Sequence, residues 1–205
     1  MDYNKFLEIQ QKMLPSLNVS RETFDRLRVY LSLLEEQNKN LNLVGSQEME
    51  RIWERHVLDS MQLMLYLKKP PFSLCDVGSG AGFPSIILGI LGVDKMTLVE
   101  SIEKKARFLM NVSRETSVKN TIICDRVENL KKVFDVIVAR AVAPLKELLI
   151  LTKNIRTPRT VHIFPKGKKY QEEIEDARAH FSFEVDIHQS VTHPEGRVLV
   201  IHHVS

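Results

Sequence analysis

The stretch Leu74–Pro84, LCDVGSGAGFP, decides the fold of this chain. A short apolar run ends in an aspartate, Asp76, glycines follow at alternate positions (Gly78, Gly80 and Gly82), and the apolar stretch Ser85–Leu91 comes straight after. That is a strand, a tight loop and a helix start, the arrangement by which α/β folds bring a nucleotide-like ligand against bare backbone. Glycine suits the loop because it takes positive φ and leaves the ligand the room of a Cβ. A dinucleotide fingerprint, G-x-G-x-x-G/A, puts a small residue at position 83, where this chain carries Phe83. An NAD-dependent dehydrogenase is therefore the least favoured reading of the motif.

The spacing Asp-x-Gly-x-Gly-x-Gly resembles instead the first motif of S-adenosylmethionine (SAM) methyltransferases, and the rest of the chain has to agree. At 205 residues there is room for one domain with an appended helical segment. An apolar fraction of 43% and a charged fraction of 27% are those of a soluble globular protein. No run approaches the roughly 18 apolar residues of a membrane span, and the opening MDYNKFLEIQ carries acids and lacks the apolar core of a signal peptide. Cys75 and Cys124 each sit near the end of an apolar strand-like run, so both are expected as buried small hydrophobes in a reducing cytoplasm. A net charge of +3 permits an anionic partner without demanding one. Basic clusters at Lys104, Lys105 and Arg107, at Lys131 and Lys132, and at Lys166, Lys168 and Lys169 are solvated faces or contacts to such a partner.

Residues 1–70 read as a helical segment and 71–205 as the catalytic domain. Ser20 is a plausible N-cap, with Phe24, Leu27, Leu31 and Leu34 following at helical spacing. The polar stretch Gln37–Gly45 breaks that pattern. A second helix is expected over Glu48–Leu67, with Ile52, Trp53, Val57, Met61 and Met64 on its apolar side. Pro70 and Pro71 then punctuate the chain. Strands are expected at Ser73–Val77, Met96–Glu100, Thr121–Cys124, Phe134–Val138, Thr160–Phe164, Phe183–His188 and Arg197–His202. Helices are expected at Ser85–Leu91, Glu103–Thr116, Val127–Val133, Leu145–Asn154 and Tyr170–His180. Such alternation argues for a parallel α/β sheet, and the short link between the last two strands makes them an antiparallel hairpin. A seven-stranded, mostly parallel, Rossmann-like sheet with that terminal hairpin is the architecture of class I SAM-dependent methyltransferases.

Ligands of open α/β sheets bind outside the carboxyl ends of the strands, and the unusual residues fall there. Gly78–Phe83 follow the first strand, and Glu100 ends the second, about two dozen residues beyond Asp76, where an acid accepts hydrogen bonds from a ribose diol. Asp125–Glu128 follow the third; Val127 could pack on adenine with Glu128 marking its edge, or both could be plain first-turn residues. Arg140 follows the apolar fourth strand, where a bare core would not want it. It either pairs with a rim carboxylate or contacts the methionyl end of SAM, the target base or an RNA phosphate. Lys166, after the fifth strand, has a similar but weaker claim.

Absences narrow the chemistry. After the fourth strand there is no Asn/Asp-Pro-Pro-Tyr/Phe, the acceptor clamp of enzymes that methylate exocyclic base amines. Neither cysteine lies in a Pro-Cys motif, which disfavours covalent carbon-5 pyrimidine methylation. No metal ligands are convincingly spaced; His202 and His203 are adjacent on a strand and point to opposite faces. An acceptor needing neither deprotonation nor covalent activation fits such a site, and guanine N7, with its free lone pair, is one.

The motifs DVGSGAGFP (76–84), LVES with KKARFL (98–109), DRVENL (125–130), FDVIVARAVAPL (134–145) and FPKGK (164–168) resemble, in order and spacing, those of the RsmG or glucose-inhibited division protein B family. NKNLNLV (38–44) and RHVLDS (55–60) are similar to its N-terminal motifs, so the resemblance covers roughly residues 25–203. Val44 departs from the threonine usual there, and Met61 from leucine. The resemblance implies a bacterial enzyme, cytoplasmic and monomeric, that forms N7-methylguanosine in 16S ribosomal RNA, free or within the small subunit or an assembly intermediate. It implies SAM contacts at Gly78, Phe83, Val127, Glu128 and Arg140, to which the ribose argument adds Glu100. Arg55, His56, Asp59 and Lys166 match characteristic positions without a stated role. Arg55 and Asp59, four apart, are placed to pair on a helix, and His56 is either a packed histidine or, with Arg140, a catalytic candidate. Arg55, Lys166 and Lys168 are candidate RNA contacts. A SAM-responsive or RNA-binding protein without catalysis, and a methyltransferase for a small molecule or a protein, are the competing readings.

Overall fold

The computed structural model describes residues 1–70 and 72–205; Pro71, expected to punctuate the chain with Pro70, lies outside them. The described residues form one sheet from β1 (Leu74–Val77), β2 (Met96–Val99), β3 (Asn120–Ile123), β4 (Val136–Val138), β5 (Val161–Lys166), β6 (Glu184–Gln189) and β7 (Arg197–His202). The order is β3-β2-β1-β4-β5-β7-β6. Neighbours from β3 to β5 are parallel, while β7 runs antiparallel to both β5 and β6. The expected terminal hairpin is there, and β7 slots between β5 and β6. The order reverses between β2 and β4 about the central β1, which opens a crevice at the carboxyl ends of β1 and β4.

The helices are α1 (Tyr3–Met13), α2 (Arg21–Leu41), α3 (Ser46–Glu50), α4 (Asp59–Met61), α5 (Ser85–Ile90), α6 (Glu103–Glu115), α7 (Leu145–Leu151) and α8 (Tyr170–Arg178). Ser20 caps α2, its Oγ accepting the Thr23 amide at 3.1 Å. The single helix expected over Glu48–Leu67 is instead α3, a π turn at Trp53–Leu58, α4 and a 3₁₀ turn at Gln62–Tyr66. Apolar periodicity sees only the buried stripe, which persists through Ile52, Val57 and Met61; it cannot see a change in hydrogen-bond register along the way. The helix expected over Val127–Val133 shrinks to a 3₁₀ turn, Val127–Asn129.

Two buried clusters lie on the two faces of the sheet. On one face Leu74, Leu98, Val136, Val138 and Ile163 pack with α5, α6 and the N-terminal helices, including Phe6, Phe24 and Tyr30. On the other, Cys75, Val77, Ile137, Ala139 and Leu199 pack with α7 and α8. The N-terminal helices are thus continuous with the core of one face. Trp53 stacks on Phe24 at 5.3 Å between ring centroids and meets Phe6 at 5.3 Å, which ties the π turn to α1 and α2. The cysteines part company: Cys75 is buried in β1, while Cys124, one residue beyond the end of β3, is exposed. A strand-like run puts a residue at the rim as easily as in the core when it stands at the end.

Candidate active site

The glycine loop hangs from β1 with φ of +67° at Gly78, +53° at Gly80 and +101° at Gly82. A Cβ on Gly78 would lie 2.8 Å from Val142 Cγ2, and one on Gly82 would lie 2.6 Å from Ile86 Cγ1. Those two glycines are required by the protein's own packing. A Cβ on Gly80 would meet nothing nearer than the Gly78 carbonyl at 3.7 Å, so this position faces open space. The loop is steadied from α2, where the buried Tyr30 donates its hydroxyl to the Ala81 carbonyl at 2.7 Å.

Asp76, at the foot of the loop, is fully buried, and neither carboxylate oxygen has a well-formed hydrogen bond among the described residues. Burial pushes its carboxyl up to about 7, the nearby Ser85 and Ser79 hydroxyls and the Arg140 charge only partly opposing this. A buried acid without a partner is costly, and its presence here marks a place for a cationic ligand group. Glu100 is also buried. Its Oε2 accepts the Gly80 amide at 2.9 Å and its Oε1 the Ile102 amide at 2.8 Å. Each oxygen retains a further acceptor position. Val127 is buried in its turn while Glu128 is exposed. The turn is fixed by Asp125 Oδ1, which accepts from the Arg126 amide and from Asn129 Nδ2, both at 2.7 Å.

Arg140 leaves β4 at the same rim. Its guanidinium lies 5.0 Å from the centroid of the Phe83 ring, pairs with Asp59 Oδ2 at 3.2 Å and donates to the Arg55 carbonyl at 3.1 Å. Its Nη2 also contacts His56 Nδ1. His56 rests on Phe83, ring centroids 4.8 Å apart, and its Nε2 lies 3.2 Å from Glu48 Oε2. Burial first, then the Arg140 charge, hold the imidazole down to about 4. Neutral at physiological pH, with Arg140 donating to Nδ1, the ring carries its proton on Nε2 toward Glu48.

The expected pairing of Arg55 with Asp59 is not formed: Arg55 Nε reaches Glu48 Oε2 at 3.5 Å, and Asp59 turns to Arg140. The i→i+5 winding of the π turn removes the one-face alignment that i, i+4 residues have on an α-helix. Lys166 lines the cleft beside Arg140 but is paired within the protein. Its Nζ pairs with Glu173 at 2.7 Å and donates to the Ala143 carbonyl at 2.8 Å, and its side chain is only 8% exposed. It braces the loop after β4 against α8, leaving Lys168 and Lys169 as the exposed cations of that cluster.

Beside Arg140 opens a cleft of about 680 Å³, walled by Arg55, His56 and Asp59 on one side, residues 141–144 in the middle, and Thr192, His193 and Arg197 on the other. Arg197, Tyr30 and Asp76 had no place in the sequence-based site. Arg197 opens β7, and because β7 is antiparallel its first residue pairs in register with Lys166, at the carboxyl rim of β5. Collecting rim residues from strand carboxyl ends alone therefore misses it. The unpartnered carboxyl of Asp76 emerges only once its burial is known.

A ligand carrying an ammonium, a vicinal diol and a purine fits these groups: Asp76 for the cation, the spare acceptor positions of Glu100 for the diol, and Val127 for the ring face. The sheet order and this crevice define a class I SAM-dependent methyltransferase. The likeness to solved structures supports the fold: a ribosomal protein L11 methylase from Lactobacillus delbrueckii subsp. bulgaricus superimposes with a TM-score of 0.61 at 19% identity over 71% of this chain and 76% of that one. The SAM-bound magnesium protoporphyrin IX methyltransferase of Synechocystis PCC 6803 gives 0.58 at 17% identity over 90% and 98%. In sequence, the ribosomal RNA small subunit methyltransferase G of Orientia tsutsugamushi (strain Ikeda) is 40% identical over 184 residues, 90% of this chain and 92% of that protein. Residues 23–200 match the GidB family model, rRNA small subunit methyltransferase G, and the chain belongs to that family.

Proposed function

We propose that this chain methylates N7 of one guanine in 16S ribosomal RNA. The observation that carries the reading is a cleft of about 680 Å³ abutting Arg140 at the mouth of the cofactor crevice, large enough for a nucleotide, in which the histidine against Arg140 is not free to remove a proton. His56 is neutral, but both of its nitrogens are engaged. Guanine N7 suits such a site because its lone pair is free and no proton leaves N7 on alkylation. Bound SAM supplies an electrophilic methyl group on a sulfonium. Gly78, Gly80 and Phe83 cradle it, Asp76 and Arg140 take its amino-acid end, Glu100 its ribose, and Val127 with Glu128 its adenine. Arg140 also borders the acceptor cleft, so it orients both partners. Holding them in line supplies most of the rate.

Residues 1–70 act as a substrate-facing helical segment on the catalytic domain 71–205. Arg55, Lys168 and Arg197 meet RNA phosphates, which makes binding salt-dependent, and the target base is taken from a loop or unstacked region where its N7 edge is accessible. The enzyme works as a cytoplasmic monomer on 16S RNA that is free, in the small subunit or in an assembly intermediate. In keeping with this, no helix among the described residues is long and apolar enough to cross a membrane. The test is a map of N7-methylguanosine in 16S RNA from cells lacking the protein. One site should vanish, return with the wild type and stay absent with Arg140→Ala; an unchanged map refutes the 16S substrate.

A further inference from the structure

Asp59 stands where the π turn ends, and its carboxylate joins elements from distant parts of the chain. Oδ2 pairs with Arg140 Nη1 at 3.2 Å, while Oδ1 accepts from Thr192 Oγ1 and from Gln62 Nε2, both at 2.7 Å. Thr192 belongs to the loop between β6 and β7. The buried Gln62 holds the same loop, its Oε1 accepting the Val191 amide at 3.0 Å. One carboxylate thus ties the end of β4 and the β6–β7 loop to the N-terminal segment. The Asp59 side chain is 17% exposed and that of Arg140 14%. Such a pair is far less screened than a surface ion pair, and breaking one side of it is correspondingly costly.

We propose that Asp59 is the positioning residue of the acceptor site. Its Oδ2 sets the Arg140 guanidinium over Phe83, and its Oδ1 sets the β6–β7 loop, so that the acceptor base meets a cleft of fixed width. This rests on the methyl-transfer reading and deepens it. The two oxygens have separate partners, and the roles can be separated. Asp59→Asn keeps an acceptor for Thr192 and Gln62 but turns an amide nitrogen toward Arg140, donor against donor. Thr192→Val releases the loop and leaves the Arg140 pair in place.

The experiment is steady-state transfer from labelled SAM to 16S RNA, both substrates varied, with a thermal melt on each variant. Asp59→Asn should lower kcat about tenfold or more, with a smaller change in KM for RNA, as expected for a lost charged hydrogen bond. Thr192→Val should raise KM for RNA about three- to tenfold, more than it lowers kcat. On an Arg140→Met background, read by single turnover with enzyme in excess, Asp59→Asn should cost less than about twofold further, because Asp59 acts through Arg140. Losses in both variants that merely track melting temperature would overturn the assignment, as would a full multiplicative loss on the Arg140→Met background. A wild type that transfers no methyl to RNA sinks the methyl-transfer reading itself. An active wild type with an Asp59→Asn variant of unchanged kcat sinks only the role of Asp59.

Discussion

Substituting alanine in turn at Gly80 and Gly82 separates what the glycine loop does for the ligand from what it does for the fold. Both residues have positive φ, +53° and +101°. Holding an alanine in the left-handed region costs about 1–2 kcal/mol, which for a chain of this size lowers the melting temperature by about 2–8 °C. At Gly80 that is the whole penalty, because the new methyl meets nothing closer than a carbonyl at 3.7 Å. At Gly82 the methyl would also sit 2.6 Å from Ile86 Cγ1 and 3.3 Å from Leu109 Cδ2, both on buried side chains. Overpacking of that kind adds about 1–3 kcal/mol. The two variants should therefore fold with clearly different stabilities.

Binding should rank them differently. If the space at Gly80 is where SAM lies against backbone, its methyl group costs the ligand at least about 1.4 kcal/mol, a tenfold rise in Kd. Titration calorimetry with SAM, beside thermal melts of both variants and the wild type, reads both quantities. A folded Gly80→Ala protein that binds SAM within twofold of the wild type would refute the cradle. A Gly82→Ala protein no less stable than Gly80→Ala would refute the packing account.

Tyr30→Phe removes the hydroxyl that holds the Ala81 carbonyl, so it should weaken SAM binding by about 1 kcal/mol, roughly fivefold, seen in the same calorimetry. Asp76 in the ligand-free site has its carboxyl pushed up to about 7, and an ammonium favours the ionised form. SAM binding should therefore release a proton below that pH, with Kd worsening up to about tenfold per pH unit as pH falls; calorimetry in buffers of differing ionisation enthalpy detects it, and Asp76→Asn should flatten the dependence. His162, fully buried in β5 with neither ring nitrogen hydrogen-bonded, is held down to about 3 by burial and the Arg156 charge. Its folded pKa lies below the unfolded value of about 6.5, so stability is full above that pH and falls by about 1.4 kcal/mol per unit below it. His162→Leu should thus shrink the loss between about pH 7.5 and pH 5 by about 2 kcal/mol, measured by urea unfolding at both.

The gathering of the candidate cofactor residues on one rim was legible because it is local. Strand, glycine loop, Phe83 and helix fall within one run of chain, and Glu100 and Val127 follow at the ends of the next strands, so alternation of pattern places all of them on one rim. Arg140 was legible for the same reason. The N-terminal segment was legible only as an apolar stripe. Its π turn keeps Val57 and Leu58 buried while redirecting Arg55 to Glu48 and Asp59 to Arg140, and hydropathy carries no trace of that redirection. Lys166 looked like its neighbours Lys168 and Lys169, and only the packing of α8 shows which of these lysines has met a carboxylate.

The cleft beside Arg140 was legible only in part: Arg55, His56, Asp59 and Lys166, singled out in the sequence, do line it, but no single stretch contains its walls. One wall comes from the π turn, one from the loop after β4, and one from the β6–β7 loop, and the link between first and last spans 133 residues from Asp59 to Thr192. Segments so remote in sequence keep a common separation only if something fixes it, since a surface loop is otherwise held chiefly at its ends. The buried Gln62 and the carboxylate of Asp59 do this with directional bonds, which tolerate far less play than apolar contact. The separation of the two halves follows from their tasks. In the proposed reading, a cofactor that is always the same is met by one glycine loop and by side chains at neighbouring strand ends. In the same reading, an RNA base is met by charged side chains on segments that the N-terminal helices must first bring together. Removing those helices should therefore cost RNA methylation and expose the apolar face they cover, and through the loss of Tyr30 it should weaken SAM binding as well.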